Sequence, residues 1–164
     1  MKKLLVFIGK PGVGKSTLIK NAFPKHNPVD VLPFIYEFRN PDGSTREDKL
    51  IISYQKMYEH LNSIKDEFIL LEIGTGFPEF NVSALKKLEL NYDLKIYLCT
   101  ATEETHWKRA NERGMRHSTE AFKLRMQRDF PGTHKELLEK SLLPYSILDM
   151  EQPLETITKV VLES

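Results

Sequence analysis

The chain has a single cysteine, Cys99, in 164 residues, so no disulfide within it can staple the fold. Cys99 stands inside an apolar run and reads as a small core residue in a reducing setting. Charge of one sign is also lacking: 24 Lys and Arg stand against 23 Asp and Glu, a formal net charge of +1. Holding long nucleic acid by counterion release needs a basic surplus, so that class of partner is not expected. Long hydrophobic runs are missing as well. The apolar stretch after Met1-Lys2-Lys3 stops at Gly9-Lys10, short of the roughly 7–15 residues of a signal-peptide core, and nothing approaches the ~20 residues of a membrane span. The expectation is a cytoplasmic protein without membrane contact. Histidines 26, 60, 106, 117 and 134 show no metal-ligand spacing and none pairs with Cys99, so a zinc site is not expected. The length suits one domain, 1–164, with a core large enough to need no staple.

Against these absences one segment stands out. Gly9-Lys10-Pro11-Gly12-Val13-Gly14-Lys15-Ser16 spells G-x-x-x-x-G-K-S directly after Leu4-Leu5-Val6-Phe7-Ile8, a buried strand running into a phosphate-cradling loop. Glycines open backbone conformations closed to other residues, so successive N–H groups converge on a β-phosphate while the following helix adds its positive end. Gly9, Pro11, Gly12, Val13, Gly14, Lys15, Ser16 and Thr17 form the expected nucleotide cradle. Lys15 would reach the β- and γ-phosphates, and Ser16 would ligate Mg²⁺.

Four apolar runs, Leu4–Ile8, Phe68–Ile73, Leu94–Cys99 and Tyr145–Leu148, are continuous instead of alternating, as strands covered on both faces are. Helical patterns separate them. Ser44 and Glu47 form an S-x-x-E capping box before Leu50, Tyr54, Met57, Tyr58, Leu61 and Ile64, predicting a helix to about Lys65. Thr102 can cap a helix from Glu103 to near Gly114, Ser118 can open another through Phe130, Thr133-x-x-Glu136 opens a short one, and Pro153 starts the last. Alternation of strand and helix implies an α/β fold: three layers, a parallel sheet of about five strands and helices on both faces. The fifth strand would be an edge strand at Val29–Leu32 or Phe34–Phe38, in a stretch interrupted by Pro28 and Pro33.

This order of loop and motifs resembles the small P-loop kinases related to adenylate kinase over nearly the whole chain. Phe68-Ile69-Leu70-Leu71-Glu72 matches that family's apolar strand ending in a carboxylate, and Gly76-Phe77-Pro78 is similar to the turn that follows. Members of that family usually have Asp directly followed by that turn and then an Arg, where this chain has Glu72, three intervening residues and Glu79. Trp107 to Arg116 looks like the run into the family's mobile lid, implying a short lid over 114–124. On the resemblance, Arg109 would stack on the purine, Arg113 and Arg116 would close over the transferring phosphate, and Arg125 is a further candidate. A solvated helix face with Arg125 paired to Asp129 is the plain alternative. Glu72, at the carboxyl end of a parallel strand, would order Mg²⁺ through water or take a proton from an acceptor hydroxyl.

No N-K-x-D guanine-reading motif is present, and Asp129-Phe130-Pro131-Gly132 closes a helix, so ATP with Mg²⁺ is the expected cofactor. The acceptor would be held by 34–65, with Arg39 and Arg46 for a phosphate or carboxylate, Tyr36, Tyr54 and Tyr58 for stacking or core, and Asp30 and Glu37 as possible bases. Three functions stay open: transfer of the ATP γ-phosphate to a nucleoside, nucleotide or related metabolite, a nucleotide-hydrolysing or nucleotide-sensing module controlling a partner, and a kinase of polynucleotide ends. The working state would be a monomer or homodimer.

Overall fold

Burial of the run Leu4–Ile8 accounts for its being apolar at every position. In the computed structural model, which describes residues 1–112 and 120–164, β1 (Lys2–Ile8) pairs in parallel with β2 (Phe68–Ile73) on one side and β3 (Tyr92–Thr100) on the other. Strand β4 (Ser146–Asp149) pairs with β3, giving the order β2-β1-β3-β4. The helices are α1 (Lys15–Ala22), α2 (Leu32–Glu37), α3 (Leu50–Ser63), α4 (Pro78–Leu88), α5 (Glu103–Glu112), α6 (Glu120–Gln127), α7 (Gly132–Lys140) and α8 (Leu154–Leu162). Leu4, Val6 and Ile8 join one core with Met57 and Leu61 of α3, Val82 and Leu85 of α4 and Leu138 of α7. Leu5 and Phe7 join the other, with Leu18 and Ile19 of α1 and Ile157 and Val161 of α8. With helices on both faces neither face of Leu4–Ile8 is left for polar residues. Each fully buried Leu or Phe of β1 contributes roughly 1.5–3 kcal/mol.

Among the described residues the sheet has four strands, not the expected five. Only Val29 of the suspected edge strand pairs, through one parallel bridge to Leu71. Pro28 has no N–H to offer a ladder, and one residue past Val29 the Asp30 carboxylate accepts the Leu32 amide at 3.0 Å and turns the chain into α2, with Pro33 in its first turn. Phe34–Phe38 is therefore helical or helix-capping backbone, not a strand.

The Ser44 capping box does not form either. The Ser44 amide and hydroxyl both donate to the Asp42 carboxylate, at 2.9 and 2.6 Å, in a turn around Gly43, whose φ is 87°. A local Asx turn has won the side chain, and α3 starts later, after a 3₁₀ turn at Glu47–Lys49. Thr102 does cap α5, its hydroxyl accepting the Thr105 amide at 3.2 Å. Helix α6 ends at Gln127, before Phe130, and α7 begins at Gly132, where Thr133 donates to Asp129 instead of capping. Helix α4 had no counterpart in the reading of the sequence, because Asn81 and Ser83 blur its apolar spacing; Pro78 stands in its first turn, where a missing N–H costs nothing. The positions awaiting a lid divide: 113–119 lie outside the described residues, and 120–124 belong to α6.

Candidate active site

Strand β1 stops between β2 and β3, and the chain turns into α1 at the carboxyl edge of the sheet, where open parallel sheets bind ligands. The connecting loop takes the form its glycines permit: φ is 76° at Gly12 and 102° at Gly14. Gly9 lies so close to β3 that a Cβ there would sit 2.8 Å from the Cys99 carbonyl oxygen. Lys15, 8% exposed, donates its Nζ to the carbonyls of Gly9 and Lys10, so the ammonium is already held over the loop's mouth. Ser16 Oγ donates to Glu72 Oε1 at 2.8 Å. The hydroxyl and carboxylate expected to serve Mg²⁺ thus meet across the β1–β2 gap.

Two side chains of α5 brace this loop from outside, and one of the loop's own reaches out to α6. Arg109 on α5 donates to the Val13 carbonyl and, at 2.8 Å, to that of Met150, tying the loop to the turn after β4. Its Nη1 would lie 3.3 Å from a Cβ on Gly14, so that glycine also makes room for the guanidinium. Buried His106, also on α5, has Nδ1 3.1 Å from the Pro11 carbonyl. Burial lowers its pKa, the Pro11 contact opposes this, and Lys10, Lys15 and Arg109 lower it further; the neutral ring donates Nδ1–H to Pro11. Lys10 Nζ donates to the Met126 carbonyl at 2.8 Å, in the last turn of α6, where a cation suits the exposed carbonyls.

Beside the loop lies a cavity of about 260 Å³. Lys15 and Glu72 form the end next to the loop, Asp30, Arg125 and Arg128 its charged walls, and Val31, Ile35, Leu50, Tyr54 and Phe77 its apolar side. A second hollow of about 160 Å³ follows the loop from Lys10 to Ser16 and shares Pro11, Lys15 and Glu72 with the first. Asn81 shapes the floor: its amide donates to the carbonyls of Gly76 (3.0 Å) and Phe77 (3.2 Å), while Tyr58 donates to its oxygen at 2.6 Å. These bonds hold Phe77 at φ 50°, a left-handed conformation uncommon for a bulky residue, with its ring 5.8 Å from that of Tyr54. Strained backbone of this kind concentrates at functional sites. Burial pushes the Tyr54 phenol above its ordinary pKa, with Arg128 and Arg125 acting against it and Asp30 adding to it.

The nucleotide residues expected from sequence, Gly9 to Ser16 with Glu72 and Arg109, come together in one place; Thr17 follows on α1. Arg113 and Arg116 lie outside the described residues. Arg39 and Arg46 do not line the cavity; Arg46 pairs instead with exposed Asp48 at 2.7 Å. Tyr54 and Tyr58 are core, as their helical spacing suggests, and Tyr54 also faces the cavity. Lys56 holds Glu37 on the surface at 2.8 Å. Among the described residues Arg125 has no ion pair with Asp129, whose carboxylate takes the Thr133 hydroxyl at 3.1 Å. Arg128, His106, Lys10 and Asn81 were not foreseen as site residues. Arg128 carried a usable signal, since it stands one helical turn after Arg125; the others act through contacts between segments far apart in the chain.

The donor set fits magnesium bound with phosphate. A serine hydroxyl and one carboxylate are hard oxygen ligands of the kind that leave room for waters and phosphate oxygens, and among the described residues no cluster of three His, Cys, Asp or Glu offers an all-protein cage. Among those residues, too, no helix is long and apolar enough to cross a membrane.

The sequence matches no family model and no curated protein. Its structure is similar to that of an unliganded sugar kinase from a Janibacter species, at TM-score 0.66 and 13% identity over 99% of this chain and 94% of that one. It is similar to shikimate kinase from Acinetobacter baumannii in complex with shikimate, at 0.65 and 16% over 99% and 92%, and to deoxyadenosine kinase from M. mycoides with bound dATP, at 0.56 and 12% over 98% and 97%. At these identities the likeness is one of fold: the described residues have the three-layer α/β architecture of P-loop small-molecule kinases.

Proposed function

We propose that the protein is an ATP-dependent phosphotransferase that moves the γ-phosphate to a hydroxyl of a small molecule, such as a nucleoside, a nucleotide or a related metabolite. The observation that carries this reading is the abutment of two hollows at Lys15 and Glu72: one follows the phosphate loop, the other holds a carboxylate, and a phosphoryl group leaving the first would enter the second. Magnesium-bound ATP supplies the transferable group and the charge that polarises it. The loop amides and Lys15 would bind the phosphates, and Ser16 and Glu72 would hold the metal, the hydroxyl as a ligand and the carboxylate through water. Asp30, oriented by its bond from the Leu32 amide, accepts the proton of the acceptor hydroxyl. Arg109 is assigned the purine by cation stacking, and Arg113 and Arg116 are assigned to the transferring phosphate as donors that answer its spreading charge.

Replacing Lys15 with Ala is expected to lower transfer by at least about a hundredfold, as removal of one preorganised charge-stabilising donor does, with the circular dichroism spectrum unchanged. The measurement is label from [γ-³²P]ATP appearing in acceptor. Transfer at the wild-type rate by the Lys15→Ala protein sinks the reading. Label found only in inorganic phosphate, whatever acceptor is offered, assigns the protein to the nucleotide-hydrolysing modules instead.

A further inference from the structure

We propose that the acceptor is a small hydroxylated acid, presenting its hydroxyl to Asp30 and an anionic group, carboxylate or phosphate, to Arg125 and Arg128. The inference rests on the reading of the protein as a phosphotransferase and narrows it.

Lys15 is bonded to the phosphate loop and Glu72 to Ser16, so both belong to the nucleotide end of the cavity. The other end is left with one carboxylate, Asp30, against two guanidiniums. Among the described residues neither guanidinium has a carboxylate within 4 Å, in contrast to Arg46 with its Asp48 partner. A cavity wall carrying two unpaired cations calls for an anion, and a guanidinium matches carboxylate or phosphate with two parallel bonds. Arg128 is seated for this role. Its Nη1 would lie 3.1 Å from a Cβ on Gly76, so it rests against the floor of the cavity where a side chain at position 76 would displace it.

The remaining wall sets the body of the molecule. Val31, Ile35, Leu50 and the rings of Tyr54 and Phe77 face a carbon skeleton, which disfavours a sugar with hydroxyls on every side because several would be left unpaired. A volume of about 260 Å³ lies just under the roughly 300–1,000 Å³ typical of sites for drug-sized ligands, so the acceptor is small. An uncharged nucleoside leaves both arginines unanswered.

The experiment follows label from [γ-³²P]ATP into matched acceptors: hydroxy-carboxylic acids, their amides, hydroxylated phosphomonoesters, and uncharged nucleosides and polyols. The full-length protein is compared with Arg125→Gln, Arg128→Gln and Arg128→Lys. Both arginines are exposed, so the variants are expected to fold, and their melting temperatures check this. Label is expected in acids or phosphomonoesters and not in the amides, the favoured arm identifying the anion. Arg128→Gln is expected to raise the acceptor KM at least tenfold with the KM for ATP within twofold, and Arg128→Lys to restore part of the loss. Label in uncharged acceptors at equal rates, an acceptor KM indifferent to both Gln variants, or intact ATP binding with no anionic acceptor labelled overturns the hydroxylated acid. Transfer to uncharged acceptors alone would leave the phosphotransferase reading standing, whereas label confined to inorganic phosphate removes both.

Discussion

Glycine 9 carries a constraint distinct from those at Gly12 and Gly14. The latter two need positive φ; Gly9 needs the space in front of the Cys99 carbonyl, and since that atom is backbone of a central strand it cannot rotate aside. Gly9→Ala is expected to push the start of the loop off β3, costing about 1–3 kcal/mol as overpacking does and weakening ATP binding at least tenfold. Denaturant unfolding and titration calorimetry read the two effects separately, and unchanged affinity would show that the loop tolerates the shift. Cys99 itself is chemically quiet: burial pushes its thiol up to about 12, Lys15 pulling down and Glu72 pushing up, which leaves almost no thiolate at neutral pH. Lys15, Ser16 and Glu72 were legible because a local motif and a strand end dictate their places. His106 was not, since its partner Pro11 lies 95 positions away.

Helices do more than cover the sheet, because two of them clamp the phosphate loop. Helix α5 reaches it through Arg109 and His106, and α6 receives Lys10 on its last turn. The second contact joins the phosphate loop to the helix that carries Arg125, which lines the neighbouring cavity. Replacing Lys10 by Met removes one charged hydrogen bond, worth roughly 1 kcal/mol where it is half exposed. Amide exchange in the last turn of α6 is then expected to quicken about fivefold while α3 and α4 are unaffected; hydrogen–deuterium exchange by mass spectrometry checks this, and equal protection in α6 counts against the clamp. Where local signals compete, the sequence misleads about helix ends. Ser44 could cap a helix or close a turn, and only Asp42 and Gly43 beside it decide for the turn.

The packed molecule holds a buried polar side chain that contributes to its response to acid. His134 on α7 is 1% exposed, and neither ring nitrogen has a partner among the described residues; its ring meets Phe130 edge-on at 5.2 Å. Burial depresses its pKa to about 4, with Glu79 and Asp129 opposing. The unfolded chain, with an ordinary histidine near 6.5, binds more protons than the fold between these values. Stability is therefore full above about pH 6.5 and falls as pH drops towards 4, by about 2–3 kcal/mol for this one group. His106, lowered by burial as well, adds in the same direction. His134→Leu is expected to be neutral or stabilising at pH 7, since it removes unpaired polar atoms from the core, and to flatten the decline between pH 6 and 4; urea melts across that range measure it, and an unchanged slope would assign the acid response elsewhere.

The chain alone determined the class of fold and the place of the phosphate loop within it. Continuous apolar runs can be buried only between two helical layers, and a phosphate loop is eight consecutive residues whose backbone makes the cradle. Packing decided the cavity beside the loop, the sheet's width and the braces around the loop. Asp30, Tyr54, Phe77 and Arg128 come from four separate segments, and a contact between distant segments leaves no periodicity or spacing to read. Val29 fails to grow into a strand because the next residue's carboxylate takes a backbone amide first, a competition settled only once the chain has folded against β2.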